Sequence, residues 1–321
     1  MTSPTPRLRG VLAPVLTPFA ADGTPSAARY VRHCRLLLNQ GVGLAAFGTN
    51  SEANSLSVRE KRTLLDALAE AGLPTARMMP GTGACAIPDT VELTRHALAH
   101  GCAGVLMLPP FYYKSVSEEG LFRSFASVID TVADPRLRIY LYHIPQVAQV
   151  GISPTLIERL LRAYPGIVAG IKDSSGDWQN TEVLLDAFQP DGFDVFAGSE
   201  TFLLRTLQRG GAGCITATAN VNAKAIARLA REWHNDDALA QQQALDTTRA
   251  ALQRFPMIAA MKAAIAWQSG DDGWAAVRPP LIELDEAQRR DLESALTNIG
   301  FHLDDAATLA EHTEEAAHPG N

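Results

Sequence analysis

The stretch that decides the fold covers residues 167–177 and reads IVAGIKDSSGD. Its first five residues are apolar and small or β-branched, which is typical of a buried strand, and its last five are polar with a glycine, which is typical of a loop. Lys172 stands where the strand meets the loop. An ammonium at the end of a buried strand must be paired with an acid, or desolvation favours its neutral amine form.

Two hypotheses account for Lys172. The chain has five lysines and 23 arginines, so arginine supplies most of its positive charge and a buried lysine needs a specific reason. Lys172 either forms a structural ion pair, with Asp173 or another acid, or acts as a Schiff-base nucleophile toward a carbonyl carbon. Ion pairing is the commoner reason for a buried lysine, and the position alone leaves both hypotheses open.

Seven further apolar runs in strand format flank this one, separated by segments with helical periodicity. They recur roughly every 18 to 35 residues. The eight predicted strands end near Thr17, Gly48, Gly81, Pro109, His143, Lys172, Gly198 and Thr216. Eight strands that alternate with helices predict an α/β fold, the TIM (β/α)8 barrel, whose parallel strands are covered on both faces.

The segments after the eighth strand predict a C-terminal helical extension. We expect the barrel to cover residues 1–232 and the extension to cover residues 233–301. Residues 302–321 are acidic and rich in alanine, with Leu303 and Leu309 as their bulky apolar residues. This composition predicts a disordered tail.

The charge and composition of the chain argue against several classes of binding partner. The net charge is −7, and no lysine/arginine cluster is interleaved with aromatic residues, which argues against nucleic acid and membrane surfaces as partners. The four cysteines contain no CxxC pair, so neither a disulfide framework nor a zinc knuckle is predicted. The first residues lack an apolar signal-peptide core, which predicts a cytoplasmic protein acting on a small molecule.

Active sites of this fold form at the C-terminal ends of the strands. The polar residues that the sequence places there are Thr49, Asn50, Ser51, Glu52, Tyr112, Tyr113, Lys114, Tyr142, His143, Lys172, Ser199, Glu200, Thr216 and Thr218. Period-2 alternation puts Tyr140 and Tyr142 on one face of the fifth strand and His143 on the other. If Tyr142 faces the interior, its hydroxyl lies beside the Lys172 amine and can move protons; otherwise it is a core tyrosine. His143 then faces the helices in a structural role.

Five blocks resemble, in order, the signature blocks of the N-acetylneuraminate lyase / dihydrodipicolinate synthase family. They are GTNSE at 48–52, YHIP at 142–145, GIK at 170–172, GAG at 211–213 with TANV at 218–221, and RPPL at 278–281. The resemblance runs from about residue 10 to residue 299. It implies a TIM barrel with a C-terminal helical extension, usually a homotetramer, that uses a lysine Schiff base with pyruvate and needs no metal or other cofactor.

The resemblance also implies roles for single residues. Lys172 matches the Schiff-base lysine, and Tyr142 matches the tyrosine that shuttles protons. Thr49 matches the hydroxyl that relays protons and helps hold the pyruvate carboxylate, together with backbone amides around Thr49 and Asn50. Tyr113 matches a tyrosine often lent to the site of a neighbouring subunit, and Tyr112 is its alternative.

The blocks depart from the family pattern in ways that bear on the substrate. GTNSE has Asn50 and Ser51 where the family commonly has a hydroxyl residue and a glycine. Val147 stands where members that make dihydrodipicolinate precursors carry an arginine for the carboxylate of the aldehyde, which argues against that activity. The run KDSSGD resembles members that cleave hydroxylated sugar-acid chains. We therefore predict substrate contacts from Asn50, Ser174, Ser199, Glu200 and Thr216.

The function predicted on these grounds is that of a class I, Schiff-base lyase. It cleaves or forms a 4-hydroxy-2-oxo acid of sugar-acid type, with pyruvate as product or donor and an aldehyde as partner. A dehydratase of a 2-keto-3-deoxy sugar acid is the first alternative, and 4-hydroxy-tetrahydrodipicolinate synthase is the second. A catalytically silent sensor of 2-oxo acids is the alternative from another class, since a fold does not fix a function.

Two other features are predicted to be structural. His96 and His100 stand four residues apart on a helix outside the barrel, but no third ligand is near in the sequence, so no metal site is predicted. Lys262 lies in an apolar helix, where a snorkelling or paired role is expected.

Overall fold

The computed structural model describes residues 7–310 of the 321-residue chain. Within them the backbone forms seven strands, β1 Gly10–Ala13, β2 Gly43–Leu44, β3 Val105–Met107, β4 Ile139–His143, β5 Val168–Asp173, β6 Asp194–Ala197 and β7 Gly213–Ile215. The helices of the same range are α1 Ala27–Asn39, α2 Val58–Glu70, α3 Ile87–Ala99, α4 Glu118–Val132, α5 Pro145–Ala148, α6 Pro154–Ala163, α7 Trp178–Phe188, α8 Leu203–Gln208, α9 Ala223–Glu232, α10 Ala238–Leu252, α11 Met257–Ser269 and α12 Glu286–Asn298. None of the helices in this range is both long and apolar enough to cross a membrane.

The strands are parallel and lie in the order β2-β1-β7-β6-β5-β4-β3. The predicted strand that ends at Gly81 fills the gap between β2 and β3 through single bridges, from Met78 to Leu44 and from Gly81 to Leu106. The Met79 N–H donates to the Leu44 carbonyl over 2.7 Å, and the Leu106 N–H donates to the Pro80 carbonyl over 2.9 Å. The ladder of backbone hydrogen bonds is short in this segment because Pro80 has no N–H to donate. The sheet still closes, and the TIM-barrel prediction is confirmed.

The two faces of β4 differ as the alternation predicts. Tyr140 and Tyr142 pack inside the barrel, in a cluster that also contains Leu12 and Phe196. Leu141 packs outward against the helices. His143 is buried, and its Nδ1 accepts the Ile152 N–H over 3.0 Å. Burial lowers the pKa of His143, in keeping with a neutral ring that serves the structure.

The extension and the barrel residues Leu16, Leu36, Ala217 and Val221 form a second apolar core. The last barrel helix, α9, ends at Glu232, and α10 begins at Ala238. Residues 302–310 pack onto this core, with Leu303 and Leu309 buried and the Trp274 Nε1–H donating to the Leu309 carbonyl over 3.4 Å. They differ from the expected disordered tail, because two isolated leucines suffice to complete an apolar surface that already exists. Residues 311–321 of the predicted tail lie outside the described residues.

Candidate active site

A cavity of about 500 Å³ opens at the C-terminal ends of the strands. Thr49, Tyr142, Lys172 and Ser174 line it from the ends of β2, β4 and β5. The opposite wall comes from the extension, where α10 and the segment after it contribute Arg249, Gln253, Phe255 and Met257. The barrel and the extension therefore build the cavity together.

Lys172 lies at the base of this cavity and is 2 % exposed. Its Nζ is 4.2 Å from the centroid of the Tyr142 ring, its register partner on β4. No ion pair among residues 7–310 includes Lys172. The Asp173 carboxylate instead accepts the Ser175 N–H over 2.9 Å and the Thr181 hydroxyl over 2.6 Å. The hypothesis of a structural ion pair with Asp173 is therefore wrong, because the two side chains of adjacent residues point to opposite faces of β5.

Two hydroxyl groups meet beside the lysine. The Thr49 Oγ1 lies 3.1 Å from the Tyr142 hydroxyl oxygen, within hydrogen-bond distance. Thr49 begins a short 3-10 helix, Thr49–Ser51, directly after β2, and Asn50 next to it also lines the cavity. The sequence therefore locates both hydroxyls correctly, and the pair can pass a proton between them.

Glu52 fixes the loop that carries Thr49. It has a left-handed backbone with φ of 56°, is buried, and pairs with the fully buried Lys262 of α11. Glu52 also accepts the Arg278 N–H over 2.8 Å. Burial lowers the pKa of Lys262 to about 8, against the opposing effect of the Glu52 charge. Lys262 has the paired role that its sequence position predicts, and it ties the loop that carries Thr49 to the extension.

Ser174 and Ser199 line the cavity, as predicted. Ser199 also caps the following 3-10 helix, Glu200–Phe202, by accepting the Thr201 N–H over 3.2 Å. The loops after β5 and β6 come close together at Gly198, where a Cβ would collide with the Ser174 side chain and backbone. A glycine at this position therefore brings the two serines to one wall of the cavity.

Glu200 and Thr216 do not line the cavity, in contrast to the prediction that they contact substrate. Both are fully buried behind its wall, where the Glu200 carboxylate accepts hydrogen bonds from the hydroxyls of Thr216 and Thr218. The same carboxylate accepts a hydrogen bond from Arg249 NH1 over 2.7 Å. Glu200 and Thr216 lie after the strand ends as expected, but their side chains bind Arg249 instead of facing the cavity.

Arg249 is a cavity-lining residue that the sequence analysis did not single out. It stands in the last turn of α10, is 13 % exposed, and lines the cavity. Within residues 7–310, every side-chain hydrogen bond of Arg249 uses NH1, to Glu200 and Thr216. The N–H groups of Nε and NH2 are therefore available to donate hydrogen bonds to a ligand. Nothing local in α10 marks this arginine, because its partner Glu200 stands 49 residues earlier.

Tyr112 and Tyr113 lie outside the cavity that this chain builds. They are 72 % and 73 % exposed, and their rings contact each other edge to face with centroids 5.3 Å apart. Lys114 anchors the loop by donating to the carbonyls of Phe111 and Ala148, over 2.6 and 3.1 Å. A single chain therefore does not bring Tyr113 to Lys172.

A closed parallel barrel has at its C-terminal rim a tyrosine–threonine pair and a buried lysine that forms no ion pair within the part of the chain that the structure describes. This arrangement defines an enzyme equipped for carbonyl chemistry. The chain belongs to the dihydrodipicolinate synthetase family, whose model matches residues 7–299. Members of this family are carbon–carbon lyases, and the chain is a lyase of the class I, pyruvate-dependent type. The resemblance stated from the sequence blocks is confirmed for this family.

Three similar proteins illustrate the relationship. The chain is 35 % identical to an uncharacterized DapA-like lyase of Chloroflexus aurantiacus, over 91 % of this chain and 97 % of that protein. It resembles the crystal structure of dihydrodipicolinate synthase from Agrobacterium tumefaciens with a TM-score of 0.83 and 32 % identity, over 90 % and 99 % of the two chains. It also resembles the structure of YagE from Escherichia coli K12 in complex with pyruvate. The TM-score is 0.82 and the identity 27 %, over 92 % of this chain and 99 % of that chain.

Proposed function

We propose that the Lys172 amine forms a Schiff base with a 2-oxo acid and that the chain thereby cleaves or forms a 4-hydroxy-2-oxo acid. The observation that carries this proposal is the buried Lys172 amine, which faces the cavity without an acidic partner among residues 7–310. An amine that no carboxylate holds in an ion pair has its nitrogen available to approach the carbonyl carbon of a ligand in the cavity. The structure of YagE in complex with pyruvate supports a 2-oxo acid as the ligand.

The reaction in the cleavage direction begins when Lys172 Nζ attacks C2 of the substrate and water leaves, which gives an iminium ion. The electron pair of the C3–C4 bond then moves into the iminium to form an enamine. C4 becomes the carbonyl carbon of the aldehyde as its hydroxyl proton passes to the Tyr142–Thr49 pair. Protonation of the enamine at C3 and hydrolysis release pyruvate and restore the amine, so the residues alone balance the reaction without a cofactor.

The near end of the site is suited to a carboxylate. Thr49 and Asn50 occupy the first positions of their 3-10 helix, where N–H groups have no acceptor within the helix. With the Thr49 hydroxyl, they can hold the carboxylate of pyruvate while C2 faces Lys172. Asn50 in place of a hydroxyl residue does not interrupt the proton path, because Thr49 contacts Tyr142 directly.

The far end of the site suits a hydroxylated chain that ends in an anion. Ser174 and Ser199 offer hydroxyl groups to a polyol, and Arg249 offers a guanidinium fork held in place by Glu200. We therefore propose a sugar-acid substrate with a terminal carboxylate or phosphate. A 2-keto-3-deoxy sugar acid with a second carboxylate fits the same wall, so Arg249 also favours the dehydratase alternative. Val147 is exposed and has no charge to bind the carboxylate of an aldehyde. In the synthase alternative, Arg249 would bind that carboxylate instead of an arginine at position 147.

Assembly and location are part of the proposal. The exposure of Tyr113 supports a homotetramer in which this tyrosine, with Tyr112 as its alternative, enters the cavity of a neighbouring copy, as the family resemblance implies. All four cysteines are free, which supports a cytoplasmic location where thiols stay reduced. Nucleic acid and membranes remain unsupported as partners.

Replacing Arg249 with glutamine is expected to lower kcat/KM about 10- to 100-fold for 4-hydroxy-2-oxo acids with a distal anion, because a charge-assisted hydrogen bond of this kind contributes about 1.5–3 kcal/mol. Substrates of equal length with a neutral end should change by less than about threefold, since they do not use the charge. Coupled detection of pyruvate release over such matched pairs measures both effects.

Arg254→Gln is the matched control, because Arg254 is exposed and does not line the cavity. Arg249→Lys keeps a positive charge beside the buried Glu200 carboxylate, so its fold should be preserved. Comparing it with Arg249→Gln separates a loss of substrate recognition from a loss of folding. Equal losses for both kinds of substrate in Arg249→Gln would exclude a distal anion, and no pyruvate release from any member of the panel would contradict the lyase proposal itself.

A further inference from the structure

Three side chains with metal-binding atoms converge on the outer surface of the barrel, between α2 and α3. The Nε2 atoms of His96 and His100 lie 2.9 and 2.7 Å from the same oxygen, Oδ1 of Asp66. The ligand atoms of all three residues lie within 4.8 Å of one another. His96 and His100 are one turn apart on α3, so their rings extend from the same face of the helix. The third ligand, absent near them in the sequence, comes from α2.

The contacts within this cluster are not all hydrogen bonds. His100 Nε2 makes a hydrogen bond with Asp66. His96 Nε2 is buried and has no hydrogen-bond partner, although it lies 2.9 Å from the same carboxylate oxygen. A buried ring nitrogen without a hydrogen bond, so close to a carboxylate oxygen, is an unsatisfied polar atom, and a cation bound by both atoms would satisfy it.

We propose that Asp66, His96 and His100 bind a divalent cation of borderline softness, with Zn²⁺ as the best match. Two imidazoles and a carboxylate are a usual zinc ligand set, and water can complete a tetrahedron because the Asp66 side chain is 40 % exposed. Zinc bonds of about 2.0–2.1 Å require ligand atoms about 3.3 Å apart, so the Asp66 oxygen must move away from the two Nε2 atoms by roughly half an ångström.

The surroundings are compatible with a cation. Arg62, the nearest cation along this face of α2, is paired with Glu92 over 2.8 Å, which compensates its charge. None of the three ligands lines the cavity at Lys172. The ion would cross-link α2 and α3 and stabilise the folded state without taking part in the proposed lyase reaction, so this proposal does not rest on the proposed function.

Calorimetric titration of the chelator-treated protein with zinc chloride tests the site. We expect one ion per chain, with a dissociation constant in the micromolar range, and a rise in the melting temperature as zinc is added. His96→Gln/His100→Gln should weaken this binding at least tenfold and remove the zinc-dependent rise. His234→Gln/His302→Gln removes two exposed histidines elsewhere and should leave both unchanged.

Turnover of the chelated wild-type protein should equal that of the zinc-loaded protein, which keeps this test separate from that of the lyase reaction. Two results would overturn the proposal. One is the absence of stoichiometric zinc binding by the wild-type protein. The other is binding that survives in His96→Gln/His100→Gln, because the ion would then be held elsewhere, for example at the exposed Cys85.

Discussion

Replacing Lys172 with alanine is expected to lower kcat by roughly 10⁴-fold or more, because no other group can form the covalent intermediate. The folded state should tolerate the change. Removal of Lys172 leaves no buried acid without its partner, since no ion pair among residues 7–310 includes it. Rates of pyruvate release, measured beside the melting temperature of each variant, separate the loss of chemistry from a loss of stability.

Lys172→Arg and Lys224→Ala make this prediction specific. Arginine retains a positive charge but does not lose its proton in proteins, so Lys172→Arg should be as inactive as Lys172→Ala. Lys224 has a 64 % exposed side chain and pairs with Asp304 at the surface, so Lys224→Ala should keep full activity. Near-normal turnover in either Lys172 variant would show that the amine is not the nucleophile.

Replacing Tyr142 with phenylalanine is expected to lower kcat by about 10²- to 10⁴-fold, the range for loss of a general acid–base group. Phenylalanine keeps the aromatic ring, whose centroid lies 4.2 Å from Lys172 Nζ. The substitution therefore removes only the hydroxyl group beside Thr49. Thr49→Val should lower kcat as well, because it removes the second hydroxyl of the pair. Steady-state kinetics with a substrate that releases pyruvate measure the effect.

Tyr140→Phe is the matched control for this change. Tyr140 lies two residues earlier on the same interior face of β4, but its hydroxyl donates to Asp194 over 3.1 Å and does not line the cavity. Loss of that hydroxyl should affect stability more than turnover. An equal fall in kcat for Tyr140→Phe, or a fall of less than tenfold for Tyr142→Phe, would exclude Tyr142 as the proton-transfer group.

The sequence predicts the barrel and the inner wall of the site because both depend on local patterns. Alternation along β4 puts both of its tyrosines on one face and His143 on the other, and the strand-end rule includes Thr49, Tyr142 and Lys172 among its candidates before any contact is known. A strand end places a residue at the rim but does not orient its side chain. Glu200 and Thr216 pass the same rule, yet they turn away from the cavity.

The features that the sequence could not predict depend on contacts between distant segments. Arg249 becomes part of the site because α10 packs over the barrel rim and meets Glu200, and Asp66 joins His96 only because α2 and α3 are neighbours. Leu309 is buried for the same reason, since it closes a core to which α11 contributes more residues than any other element. Hydrophobic periodicity carries no information on such pairings.

The most direct test of the central claim is reduction with borohydride in the presence of pyruvate, followed by peptide mass mapping. The account predicts a stable pyruvate adduct on the peptide that contains Lys172, and none in Lys172→Ala. Lys262 is a useful internal comparison, because it is another buried lysine and burial lowers its pKa to about 8, yet it pairs with Glu52 away from the cavity and should form no adduct. An adduct on Lys262 or another lysine would contradict the assignment of Lys172 as the nucleophile. No adduct at all would contradict the Schiff-base mechanism and favour a protein that binds 2-oxo acids without turning them over.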